Sequence, residues 1–278
     1  MRLISCIALS GLFVRPAVAP AQDRPFVFSL ATATDASTPQ VRVDYDIGVG
    51  EQTFHQRAGN GPEQRFGVQA SVGRLTFVGY VDTAAARDAY QTSQQGEMLV
   101  SLFAQSPSQV ALAMGGGVLH EADGVNVLLA RLVAGHEGTG TRLHGNLLFQ
   151  KPLAEGRDNV DLITSMGWAA RVTSTWAIGV EAIGEDLEGF WDSQEAEGGA
   201  RLLVGPSVQV APPAKRWQFS LAGGPTFRPT RSERTSQAHY LRLSLLTLLP
   251  PAYFDSFPAF AAAFWSSARA PARISTRA

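Results

Sequence analysis

Histidine and glutamate adjoin twice in this chain, at His120-Glu121 and His136-Glu137, and a third histidine stands at His55. An acid beside an imidazole can hold a metal or move a proton. Neither pair has another histidine three residues beyond its glutamate, so the zinc-binding helix pattern is absent. The stretch GHEGTGT, Gly135 to Thr141, has glycines but no Lys-Ser/Thr to close a phosphate loop, and LVGPSVQ lacks the second glycine of a nucleophile elbow. Both read as turns or strands, and no cofactor or metal is expected.

A second set of polar residues recurs at every other position. Arg42, Asp44 and Asp46 alternate with Val41, Val43, Tyr45 and Ile47. Arg142, His144, Asn146 and Gln150 share one parity, and Gln69, Asp161, Glu181, Arg201, Gln218 and Arg242 hold the equivalent phase of their own segments. A period of two is the strand period, which sends successive side chains to opposite faces. One face is then polar and of mixed sign, and the other is apolar. Such a face can line a watery lumen, or its acids and arginines can pair across it. Segment 125–134 departs from the pattern, because Val127, Leu129 and Arg131 share a parity.

The elements that carry these residues are strands at 41–49, 65–72, 75–82, 98–105, 109–117, 125–134, 141–150, 160–171, 175–184, 200–210, 217–225 and 237–247. PFVFSLATA, Pro25 to Ala33, alternates too and is a candidate extra strand or the start of the first. The total is about twelve, within about ten to fourteen. Pro206, in the middle of 200–210, marks a possible bulge that would reset the parity beyond it.

The chain has 278 residues, 45% hydrophobic and 17% charged, with a net charge of -1, a balance that offers no nucleic-acid surface. That is few charges for a soluble domain. The first residues, MRLISCIALSGLFVRPAVAPAQ, read as an export signal: Arg2, an apolar stretch Leu3 to Val14, and Ala19-Pro20-Ala21 before cleavage at Gln22. Cys6, the one cysteine, would leave with residues 1–21. After it no run of about eighteen apolar residues follows, so a spanning helix is not expected. An exported, Gly-rich, strand-rich chain of this kind fits an all-β fold: a closed antiparallel up-and-down transmembrane barrel over 22–249, in the outer membrane. Its partners would be outer-membrane lipids, the barrel-assembly machinery and small solutes.

Connections at Gly73-Arg74, Ser106-Pro107-Ser108, Thr173-Ser174 and Ala211–Arg216 are tight, whereas those at 50–64, 83–97, 151–159, 185–199 and 226–236 are long and polar. They alternate, as the two ends of an outer-membrane barrel do. The connection 118–124 is short for its class and 135–140 long. Trp168, Trp176 and Trp217 fall near one end of their strands and are expected to form an interfacial girdle. Pro250-Pro251 breaks the last strand, and 250–278 is an Ala/Pro/Arg-rich tail.

The signal, DRPFVFSLATA and the hairpin GPSVQVAPPAKRWQFSLAGGPTF resemble a family of proteobacterial outer-membrane barrels described as transporters or linked to a phenol-degradation pathway. The resemblance covers Asp23 to Thr247 and implies no catalytic residues. A passive channel or transporter for small solutes is the expectation. The alternatives are a structural or binding barrel with an occluded lumen and an outer-membrane barrel enzyme with its site at loop level, near His55, His120 and His136. Intact-mass analysis of the exported protein is expected to show a chain beginning at Gln22 with no reactive thiol; a thiol-bearing mature chain would overturn the signal assignment.

Overall fold

A computed structural model describes residues 26–29, 36–54, 61–86, 89–104, 109–154, 160–191, 200–213, 215–229 and 238–249. The expected signal (1–21), His55 and the tail (250–278) lie outside these residues. Twelve strands form: β1 (Ala36–Gly50), β2 (Glu63–Gly73), β3 (Leu75–Ala86), β4 (Ala89–Phe103), β5 (Ala111–His120), β6 (Asn126–Glu137), β7 (Thr141–Pro152), β8 (Asp161–Arg171), β9 (Trp176–Glu185), β10 (Arg201–Val210), β11 (Trp217–Phe227) and β12 (Ala238–Leu249). Each pairs antiparallel with its sequence neighbours, and β1 pairs with β12 from Val41↔Leu249 to Gly50↔Tyr240, so the sheet closes. Closure leaves no edge strand with free amides and carbonyls.

The faces are inverted relative to a water-soluble protein. On β1, Arg42, Asp44 and Asp46 are buried while Tyr45, Ile47 and Val49 are exposed. The outer wall continues with Phe66, Met98, Met114, Leu128, Met166 and Leu245, all exposed. An apolar band around a closed barrel suits hydrocarbon as its solvent. Among the described residues no helix is long and apolar enough to cross a membrane.

Three sequence expectations change. The long connection expected at 83–97 is a continued hairpin: β3 and β4 pair from Leu75↔Val100 to Ala86↔Ala89, and Thr83 and Thr92 join hydroxyls at 3.3 Å. Polar residues there mark strand that rises beyond the apolar band rather than loop. The candidate extra strand is no strand in its described part, since Phe26–Ser29 joins no ladder and lies inside the barrel. Pro206 resets nothing: β10–β11 pairing lapses between Leu203↔Thr226 and Ser207↔Ala222 and resumes in the same register. Proline has no N–H to give the ladder, and outward exposure accommodates it.

Short links need special backbone. Between β2 and β3 only Arg74 intervenes, and Gly73 takes φ 53°, where a side chain would strain the turn. Arg74 in turn donates to the carbonyls of Ser101 (2.9 Å) and Leu102 (2.5 Å), holding the end of β4.

Val180, half-way along β9, faces outward, whereas Val172 sits in the β8–β9 turn. Val180→Arg is expected to lower unfolding stability in lipid vesicles by about 2–4 kcal/mol and Val172→Arg by about 0–1 kcal/mol. Equal costs would contradict a lipid-facing outer wall.

Candidate functional site

The interior is where the polar residues converge. Arg42, Asp44, Asp46, Gln69, His144, Asn146, Gln150, Glu181, Arg201, Gln218 and Arg242 are buried there, while Arg142 and Asp161 are half-buried. Alternation on the strands aims them inward, and their partners come from distant segments.

The described start of the β1–β2 connection folds into one end of the barrel. Gly50, at φ 88°, turns the chain so that Glu51–Phe54 folds inward. The Glu51 carboxylate accepts from Arg201 at 2.8 Å and Arg228 at 2.5 Å. Arg201 also binds Glu185 at 2.6 Å and the Gln52 carbonyl at 2.5 Å. A second knot surrounds Glu63, which accepts from the backbone N–H of Thr53 (2.9 Å) and Phe54 (3.1 Å) and pairs with Arg242 at 2.5 Å. Arg242 donates further to the Thr53 hydroxyl at 3.0 Å and to the Glu51 carbonyl. It fits because position 48 is glycine: a Cβ there would stand 2.6 Å from the guanidinium arm. Arg65 pairs with Asp82 at 2.5 Å and lies over the rings of Phe54 (4.2 Å) and Tyr80 (4.5 Å), a charge held by both an acid and two π faces.

Deeper, Arg131 makes a two-pronged pair with Glu97 at 2.7 and 2.8 Å, and Gln95 donates to the same carboxylate at 2.5 Å. Arg42 approaches Asp44 at 3.4 Å, and Glu137 lies 3.8 Å from Arg142 and 3.6 Å from His144. His120, by contrast, faces Asn126 at 3.0 Å, at the mouth of β5–β6. Among the described residues no cluster of three or more His, Asp and Glu could hold a metal.

Sequence reasoning missed Glu51, Glu63, Arg65, Asp82, Glu97 and Arg131 as lumen residues. Arg65 shares the parity of Gln69, and Arg131 signalled itself by breaking the expected polarity of β6. That strand is inward-apolar: Val127 and Leu129 pack with Leu119 and Leu148, and Val133 packs with Val78, Tyr80, Leu99 and Ala113. The interior is therefore part ionic and part apolar, not polar throughout.

The third occupant is Phe26–Ser29. The Phe28 N–H donates to Glu181 at 3.1 Å, and the Ser29 and Ser165 hydroxyls meet at 3.3 Å. Val27 packs with Ile183, Leu203, Ala222 and Tyr240, with Phe28, Phe54 and Ile163 against them. One cavity, among Phe28, Phe54, Arg65, Arg131, Gln150 and Ser165, has about 60 Å³, room for a few waters.

On the outer face Trp168, Trp176 and Trp217 are each exposed. Trp176 opens β9 opposite Val210 and Trp217 opens β11 opposite Thr247, while Trp168 pairs with Val180, further into the wall.

No protein-family model and no curated protein matches the sequence. Among solved structures, the KdgM porin in complex with disordered oligogalacturonate is similar at 10% identity and a TM-score of 0.50, over 74% of this chain and 98% of that one. The NanC porin in a rhombohedral crystal form is similar at 7% identity and a TM-score of 0.51, also over 74% and 98%. The fold is that of a porin barrel. The shared property is the closed all-antiparallel sheet, since identities this low carry no residue from one chain to the other.

The Glu63–Arg242 pair tests how far the interior depends on pairing. Glu63→Ala strands a buried guanidinium and is expected to cost about 3–5 kcal/mol in denaturant unfolding, whereas Glu63→Leu with Arg242→Met should cost much less. Near-equal losses would show that shape, not charge, holds this end.

Proposed function

We propose that the chain is an outer-membrane channel of porin type for small solutes, held closed in this conformation. The supporting observation is the combination of an apolar outer wall with an interior whose charges come from all sides of a closed twelve-strand barrel. The likeness to two porins, one of them solved with a bound oligogalacturonate, is consistent with a solute path. On this reading Arg42, Asp44, Asp46, Gln69, Arg142, His144, Asn146, Gln150, Asp161, Glu181, Arg201, Gln218 and Arg242 set what passes, and Trp176 and Trp217 anchor the wall at the lipid interface, with Trp168 deeper in the wall. The protein works without catalysis or cofactor, is delivered by an N-terminal signal, and meets lipids and the barrel-assembly machinery. Placement in the transporter or phenol-degradation-pathway family rests on the export signal, Asp23–Ala33 and Gly205–Phe227.

A second reading, a structural or binding barrel whose lumen never opens, is favoured by the packed interior. Conductance separates the two. Folded protein with heat-modifiable gel mobility, reconstituted in planar bilayers, is expected to give discrete current steps, at least once residues 26–29 are removed. Silence from both the intact and the shortened chain would leave only the occluded barrel.

A further inference from the structure

We propose that the lumen contains a seat built for the chain's own segment Phe26–Ser29, and that this segment is a tethered gate. The proposal rests on the channel reading above and adds what closes the channel. The seat is contributed by separate strands with different chemistry. Glu181 on β9 takes the Phe28 N–H, and Ser165 on β8 takes the Ser29 hydroxyl. Gly167 leaves the hollow for Phe26, whose ring atoms would lie 2.5 Å from any Cβ there. His144 and Tyr240 wall the two aromatic rings at centroid distances of 6.0 and 5.5 Å.

The segment stands apart from the strands that line the interior. It belongs to no ladder, so its departure breaks no inter-strand hydrogen bond and leaves the barrel closed. The Glu51–Phe54 turn, by contrast, is tied by Arg201, Arg228 and Arg242. What the seat recognises is therefore a bent peptide with bulky apolar side chains and an N–H to donate, and the chain supplies one. Each fully buried side chain favours the seated state by about tenfold or more, so the closed form dominates until something competes for the seat.

The Ser29–Ser165 contact suits a reversible lock. In a Cys6→Ser background, Ser29→Cys with Ser165→Cys should cross-link on oxidation in the folded, lipid-inserted barrel. Oxidised protein should be closed, and reduction should return the gating of the parent. A chain lacking residues 26–29 should carry about tenfold more current or higher, the ratio expected from one lost apolar anchor. A synthetic peptide of residues 23–33 should suppress that current. Gly167→Leu, which fills the Phe26 hollow, should open the channel without any deletion.

Failure to cross-link in a heat-modifiable barrel would overturn the seat. Equal current from oxidised, reduced and shortened chains would overturn the gate while leaving the channel standing. Silence from all of them with the cross-link formed would overturn the gate together with the channel reading.

Discussion

The pairing of β1 with β12 is the interaction on which the rest depends. A sheet in hydrocarbon has no water to satisfy an edge, and each unpaired amide or carbonyl costs several kcal/mol there, about 2–7 by transfer. The ladder from Val41↔Leu249 to Gly50↔Tyr240 removes that cost at the one place where chain neighbours cannot. Once the ring is shut, every strand has one face toward lipid and one toward a space of fixed girth. The alternation of Arg42, Asp44 and Asp46 with Tyr45, Ile47 and Val49 is the sequence's answer to that geometry.

Closure creates a second constraint. Charges sealed from bulk water must find partners, or remain costly to bury. Arg201 meets Glu51 and Glu185, Arg242 meets Glu63, Arg65 meets Asp82, and Arg131 meets Glu97. Arg201 and Arg242 also tie Glu51–Thr53, so the described start of the β1–β2 connection becomes part of the interior. Beside the Arg131–Glu97 pair, inward residues of β5 and β6 such as Ala113, Leu119, Val127 and Val133 pack as an ordinary apolar core.

Strand positions were readable in the sequence because alternation is a local property, and each of the twelve expected segments overlaps a strand of its own. The ends were not. Residues 83–97 looked like loop since Asp82, Thr83, Gln91 and Ser93 carry no apolar face, yet inter-strand hydrogen bonds do not require one outside the membrane. The partners of the inward residues were equally hidden: Arg201 and Glu51 are 150 positions apart, and nothing local announces that pair. PFVFS misled for the opposite reason. Phe26, Phe28 and Leu30 alternate in the sequence as a strand would, but Phe26–Ser29 bends and inserts instead of pairing. Arg131 was the honest irregularity, a charge among apolar neighbours that pointed to a lumen of mixed character.

The closing seam joins the first strand to the last, so it is the contact of greatest sequence separation and the last to become available as the chain is made and folded. Val27 and Phe26 touch Leu203, Ile183 and Gly167, groups on strands that exist only after most of the barrel has formed. The N-terminal residues precede β1 directly, and a seam that zips last encloses them rather than requiring them to be threaded. Seated, they cover the apolar inner wall at Ile183, Leu203 and Ala222. A barrel whose seam closes last can be wrapped around such a segment, with no need to thread it through a finished ring.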